Sequence, residues 1–168
     1  YTFIGWYTEK EGGSQIYNEK GKCNNDETYW KDNKWCAESD LTVYAHWKAN
    51  IYNLTFDANG GLVNTDETTA ICTPTYDKPF FNDVEYLNPV KTGYTFIGWY
   101  TEKEGGSQIY NNKGKCTNDG TYWKNGNWHY VGNATVYAHW KANTYTVKYV
   151  PNGGTGTCLL YTSDAADE

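Results

Sequence analysis

The residues in this sequence best suited to chemistry are its cysteines and histidines. Cys116, His129 and His139 follow one another with twelve and nine residues between them. Thiolate and imidazole groups bind zinc, but structural zinc sites draw on closely spaced ligand pairs, and the sequence has no Cys-x-x-Cys or His-x-x-x-His. A nucleophile pair of Cys116 with one of the histidines is the other reading, and no motif supplies the oxyanion hole or substrate pocket it needs. We therefore predict no metal site, no cofactor and no catalytic residue.

Aromatic side chains are the second set of candidates. Five of them lie between polar residues in two corresponding segments: Tyr122, Trp123, Trp128, Trp30 and Trp35. Exposed rings of this kind stack on sugars or anchor a protein partner. The alternative, which we favour, is that they cover the edge of a sheet and replace a missing aliphatic core.

Composition excludes two classes of protein. The chain has 168 residues with a formal net charge of −6, and its 14 basic residues are all lysine. A nucleic-acid binder needs clustered basic residues to neutralise phosphates, and no such cluster is present. No apolar run approaches the 18 or so residues of a transmembrane segment. Its 17 Tyr and 8 Trp favour a β-dominated protein with an aromatic core.

A long internal repeat organises the chain. Residues 1–17 recur letter for letter at 94–110, and the match extends to 38 identities over 50 positions at an offset of 93. This period exceeds the roughly 20–50 residues of a solenoid repeat and suits one small domain. We predict the C-terminal part of a truncated unit over 1–49, a complete unit over 50–142 and the first strand of a third over 143–157. Residues 158–168 resemble a translated sequencing adapter and are set aside.

Within the complete unit, the signals are those of strands and turns. Alternation over residues 52–57 predicts a half-buried strand, and Asn-Gly-Gly at 59–61 predicts a tight turn. Residues 80–87 are a candidate short helix. Residues 94–100 are apolar on both faces, which predicts a central strand with a close approach or bulge at its glycine. Residues 135–140 predict the closing strand.

Three blocks in the complete unit carry a family resemblance. The stretches 52–61, 91–101 and 135–141 resemble the Listeria–Bacteroides repeat family, which includes the B repeat of internalin-type surface proteins. The resemblance implies a β-dominated α+β fold of small, ubiquitin-like β-grasp units in tandem on secreted or wall-attached bacterial proteins, with no catalytic residues. Residues 107–134 depart from the family pattern as a longer segment, for which we predict a hairpin around Asn125-Gly126.

The expected extracellular location gives the cysteines a different role from metal binding. With Cys158 set aside, the even count predicts a disulfide between Cys72 and Cys116 and another between Cys23 and Cys36. Such cross-links would stabilise a small unit that has few aliphatic residues.

The sequence thus predicts a non-enzymatic tandem-repeat segment of a secreted or cell-surface bacterial protein, acting as a stalk or adhesion module. Its expected partners are a host-surface protein or a glycan, with no nucleic acid and no transmembrane segment in this stretch. The alternative is a carbohydrate-binding module of a secreted hydrolase that uses the exposed Trp and Tyr side chains.

Overall fold

The regular structure of the chain is made of β-strands. The computed structural model describes residues 1–80 and 87–154, and no helix is found in this part of the chain. The β-dominated prediction is therefore confirmed, whereas the α component of the predicted class is not found there. Most of the helix predicted at 80–87 lies outside the described residues. Two compact units are present, Tyr1–Ile51 and a second that begins at Tyr52.

The first unit contains a three-stranded antiparallel sheet and a separate small hairpin. The order in the sheet is β2-β1-β5, and the hairpin pairs β3 with β4. The strands are β1 (Thr2–Tyr7), β2 (Gln15–Asn18), β3 (Trp30–Lys31), β4 (Lys34–Trp35) and β5 (Tyr44–Lys48).

The second unit has the same elements and two more strands that precede them. Its sheet has the order β7-β6-β12-β8-β9, in which β6 and β12 are parallel neighbours and the other pairs are antiparallel. The insertion forms a hairpin of β10 and β11. The strands are β6 (Leu54–Asp57), β7 (Thr69–Cys72), β8 (Tyr94–Tyr100), β9 (Gln108–Asn111), β10 (Trp123–Lys124), β11 (Asn127–Trp128) and β12 (Ala134–Ala142).

Strand β6 and its turn follow directly from the local sequence. Leu54 and Phe56 are buried, while the residues between and after them are only half-buried. Asn59 and Gly60 have φ angles of 48° and 84°, and the N–H of Gly61 donates to the carbonyl of Ala58 at 3.0 Å. Two successive positive φ angles define the tight turn that Asn-Gly favours, so both predictions are confirmed.

The glycine in the central strand β8 is required by a close approach. Gly98 has a φ of 145°, and a Cβ atom there would lie 2.6 Å from the carbonyl oxygen of Tyr110 on β9. The register between β8 and β12 also shifts between His139 and Trp140, opposite this glycine. The predicted close approach and bulge are both present.

The core of the second unit is built from aromatic rings. Phe56 meets Trp99 edge-on at a centroid distance of 5.0 Å, and Trp123 meets both Tyr110 and Trp128 edge-on at 5.5 Å. These rings supply the apolar area that the aliphatic residues do not, and the edge-to-face geometry is the favoured one.

The inserted segment forms the hairpin predicted around Asn125-Gly126. Both residues have positive φ, at 53° and 79°. The carboxylate of Asp119 anchors the approach to the hairpin, because it accepts hydrogen bonds from three successive backbone N–H groups, including that of Tyr122 at 2.9 Å. The turn places the two Trp side chains of the hairpin against the core.

Candidate functional site

The five aromatic residues proposed to bind a ligand differ in exposure between the two units. In the second unit Trp123 and Trp128 are 0 % exposed, and Tyr122 is half-buried with its ring stacked on Tyr130 at 4.5 Å. A side chain with no accessible surface cannot stack on a sugar. The exposure on which the ligand-binding hypothesis depends is therefore absent at these two Trp residues.

In the first unit the corresponding rings are more open. Trp35, the counterpart of Trp128, is 44 % exposed, and Trp30 is half-buried and meets Trp35 edge-on at 5.5 Å. The strand pairing of the hairpin is the same in both units, but the residues that follow it differ: Tyr130, whose ring meets Trp128 edge-on at 6.2 Å, has Ala37 as its counterpart. In the second unit, Phe80 shields both tryptophan rings from solvent: its ring lies 6.3 Å from that of Trp123 and 6.5 Å from that of Trp128.

The four cysteines within the described residues are free thiols, and neither predicted disulfide is formed there. Cys23 and Cys36 have different partners, since their Sγ atoms lie 3.6 Å from Asn33 Oδ1 and from the Thr28 carbonyl oxygen, respectively. Cys72 and Cys116 both pack against the core of the second unit, and burial raises the pKa of each thiol.

The phenol of Tyr110 is buried in the core of the second unit. Burial raises the pKa of Tyr110 far above its usual range, and the charges of Cys116 and Cys72 raise it further. Cys72 lies on β7 and Cys116 pairs with Tyr110 of β9, so the two thiols sit at opposite edges of the sheet.

The histidines considered for zinc or nucleophilic chemistry are engaged elsewhere. His139 stacks on Tyr100 at 3.9 Å, and its Nε2 lies 2.8 Å from the carbonyl oxygen of Glu102. His129 stacks on Tyr76 at 5.2 Å. Within residues 1–80 and 87–154, no group of three or more His, Cys, Asp or Glu side chains is arranged to hold a metal ion.

The second unit has a groove that sequence reasoning missed. A cavity of about 810 Å³ opens between the β6 turn, the segment around Val90 and the rings of Phe96 and Trp140. A second cavity of about 450 Å³ shares Lys91 and Trp140 with it and adds the loop after β8. We call the two together the Trp140 groove.

The Trp140 groove combines apolar rings with charge. The Nζ of Lys91 lies 4.4 Å from the centroid of the Tyr94 ring, and Lys103, Glu104 and His139 border the second cavity. Trp140 itself donates its indole N–H to the carbonyl of Ala58 at 2.9 Å, which fixes the ring at the groove floor. The sequence feature that could have indicated the Trp140 groove is the Lys-Thr-Gly-Tyr turn beside an aromatic strand.

Comparison with known proteins identifies the repeat. The model of the Listeria-Bacteroides repeat domain matches residues 1–29 and 52–122. The chain belongs to this family. The second match begins where the second compact unit begins, and the first covers β1 and β2 of the first unit.

Relatives of the chain are longer bacterial proteins. The chain is 31 % identical over 156 residues to a "Putative Gly-rich membrane protein" of Evansella cellulosilytica, covering 92 % of this chain and 15 % of that protein. It is 32 % identical over 145 residues to "Internalin H" of Listeria monocytogenes, covering 85 % and 20 %. A "Putative membrane protein" of Evansella cellulosilytica is 24 % identical, covering 92 % and 18 %.

The chain therefore spans a fifth or less of the length of these relatives. It is a repeat module of a kind found in bacterial membrane and internalin proteins. In residues 1–80 and 87–154 we find no helix with the length and apolar character needed to cross a bilayer.

Proposed function

We propose that the chain is a non-enzymatic tandem-repeat segment of a secreted or cell-surface bacterial protein that acts as a stalk and adhesion module. The observation that carries the proposal is that the same three-stranded arrangement forms twice, 93 residues apart along the chain. Gly5 pairs with Asn18 in the first unit, and Gly98 pairs with Asn111 in the second. Linked copies of a binding surface gain avidity even where each contact is weak.

We further propose that each repeat is a β-grasp unit with the boundaries expected from the sequence: 1–49 for the partial copy, 50–142 for the complete one and 143–157 for the start of a third. Strand order supports this assignment. A β-grasp sheet holds its first and last strands side by side and parallel at the centre, and β6 and β12 are such a pair.

The proposed partner is a host-surface protein or a glycan, and the Trp140 groove is the surface we assign to it. Exposed apolar atoms beside charged ones are typical of binding surfaces. Val90 lines the groove and is 57 % exposed, so a change there alters the surface without opening the core.

Binding of the full chain to a glycan array and to cultured host cells tests the proposal. We expect Val90→Glu to abolish binding by placing a carboxylate in the groove. Val131→Glu, at an exposed valine outside the groove, is expected to bind like the natural chain. Binding to sugars alone would favour the carbohydrate-binding module of a secreted hydrolase. If the natural chain bound neither glycans nor cells, the adhesion proposal would be refuted.

A further inference from the structure

Strand β7 forms one edge of the five-stranded sheet in the second unit. It pairs with β6 on one side, and within the described part of the chain no strand pairs with it on the other. Thr69, Ile71 and Thr73 are exposed along this edge, and the side chain at its centre, that of Ile71, is 64 % exposed. The second unit therefore presents an apolar residue in the middle of an open sheet edge.

The direction of the backbone groups along this edge follows from the hydrogen bonds on its inner side. Ala58 donates its N–H to the carbonyl of Thr68 at 2.9 Å, and Tyr52 donates to the carbonyl of Pro74 at 3.0 Å. In an antiparallel pair, hydrogen-bonded and non-hydrogen-bonded residue pairs alternate along the strands. The even-numbered residues of this stretch therefore bond towards β6, and the N–H and C=O groups of residues 69, 71 and 73 point away from it.

These outward groups have no hydrogen-bond partner among residues 1–80 and 87–154. A row of unpaired N–H and C=O groups is a template for pairing with a further strand. Proteins commonly block such pairing with charged residues, with proline or with a bulge. Residues 68–73 contain no charged residue and no proline, and the register of β7 with β6 is continuous. The edge is therefore open to strand addition.

We propose that β7 is the contact between two copies of this chain, which pair their β7 edges in antiparallel orientation about a two-fold axis at Ile71. Residue 71 then lies opposite residue 71 of the second copy, and residue 69 lies opposite residue 73. In this register the outward groups of all three residues meet, so each of the three residue pairs exchanges two main-chain hydrogen bonds. The two sheets become one continuous sheet across the contact.

Side-chain chemistry favours a second copy as the occupant of this edge. Like charges directly opposite one another destabilise a strand pair, so an edge that carries charge opposes pairing with itself. Residues 68–76 are all uncharged, although the chain as a whole has a net charge of −6. The exposed Ile71 side chains meet at the axis, where pairing removes apolar surface from water. Thr69 faces Thr73 of the second copy, and Thr–Thr pairs of this kind stabilise sheets.

The contact is isologous and closes on itself. Each copy uses its β7 edge once, so association through this edge stops at a dimer. Pairing of the β7 edges does not involve the Trp140 groove, and it is independent of the adhesion proposal.

Sedimentation of the full chain in the presence of a thiol reductant, from about 1 µM to about 1 mM, tests the proposal. We expect the average mass to rise with concentration from the 19.2 kDa of a single chain towards twice that value and no further. Ile71→Lys and Ile71→Glu should each weaken association about 10-fold or more, because each places two like charges opposite one another at the axis. Val131→Lys, at an exposed valine outside β7, should associate like the natural chain.

An equal mixture of the Ile71→Lys and Ile71→Glu chains provides the decisive measurement. Residue 71 faces itself only in the proposed register, so the mixture should associate about 10-fold or more tightly than either variant alone. Hydrogen exchange should also slow on association at the N–H groups of residues 69, 71 and 73. Because Ile71 is exposed, both variants are expected to fold, and their backbone amide spectra at low concentration check this.

Four results would each overturn the proposal. The first is a natural chain that stays monomeric up to about 1 mM, and the second is a mass that rises beyond that of two chains. The third is a mixture of the two Ile71 variants that associates no more tightly than either alone. The fourth is association that leaves hydrogen exchange at residues 69, 71 and 73 unchanged.

Discussion

The two copies of the hairpin tryptophan provide a controlled measurement of what burial contributes. Trp128 is 0 % exposed in the second unit, and its counterpart Trp35 is 44 % exposed in the first. We expect Trp128→Ala to destabilise its unit severely and Trp35→Ala to have a much smaller effect. The hairpins have the same strand pairing, so the comparison measures the packing around the ring rather than the pairing of the hairpin strands.

The magnitude follows from the area removed from the core. A tryptophan buries roughly 150–250 Å², which at about 25 cal/mol per Å² is worth about 4–6 kcal/mol. Measured losses for Trp→Ala in cores are about 3–5 kcal/mol. Little more than half of Trp35 is removed from solvent and water can occupy the space left behind, so we expect about 1–2 kcal/mol there.

Urea unfolding of the full chain, followed through backbone amide signals assigned to each unit, measures both effects separately. A third variant, Trp128→Phe, should cost less than Trp128→Ala, since a ring remains. It also removes an indole N–H that has no hydrogen-bond partner in the described part of the chain. Equal losses for Trp128→Ala and Trp35→Ala would refute the reasoning, because exposure would then have no bearing on the contribution of the ring.

Three further predictions concern other positions. Gly98→Ala should lower the free energy of unfolding in urea by about 2–3 kcal/mol or more. Gly105→Ala, at a φ of 71° with open space around it, should lower it by only about 1 kcal/mol. Equal losses would contradict the close approach at Gly98. Backbone hydrogen bonds hold the pKa of the Asp26 carboxyl below its reference value of 3.8. The stability that the Asp26 carboxylate contributes to the folded unit is therefore fully present above that pH, and it is lost as the pH falls through the folded-state pKa. An NMR titration giving a value of 3.8 or higher would contradict this. Cys72 and Cys116 are free thiols at opposite edges of the sheet, so peptide mapping without reductant should recover the two unlinked; a linked pair would instead favour the disulfide predicted from the sequence.

Local features of the fold were predictable because local chemistry determines them. The Asn-Gly turns after β6 and between β10 and β11 need positive φ, and few residues adopt it readily. The strand over residues 94–100 and its glycine followed from apolar character on both faces and from the crowding that a side chain would cause.

Exposure of the aromatic residues was not predictable in the same way. The first unit and its counterpart share 38 of 50 residues, yet the counterpart of a buried tryptophan is open to solvent. Part of the difference comes from Tyr130, which contacts Trp128 and has Ala37 as its counterpart. Another part comes from Phe80, which is remote in sequence from the two rings it contacts. A periodicity argument reads neighbours along the chain and therefore has no access to the Phe80 contact.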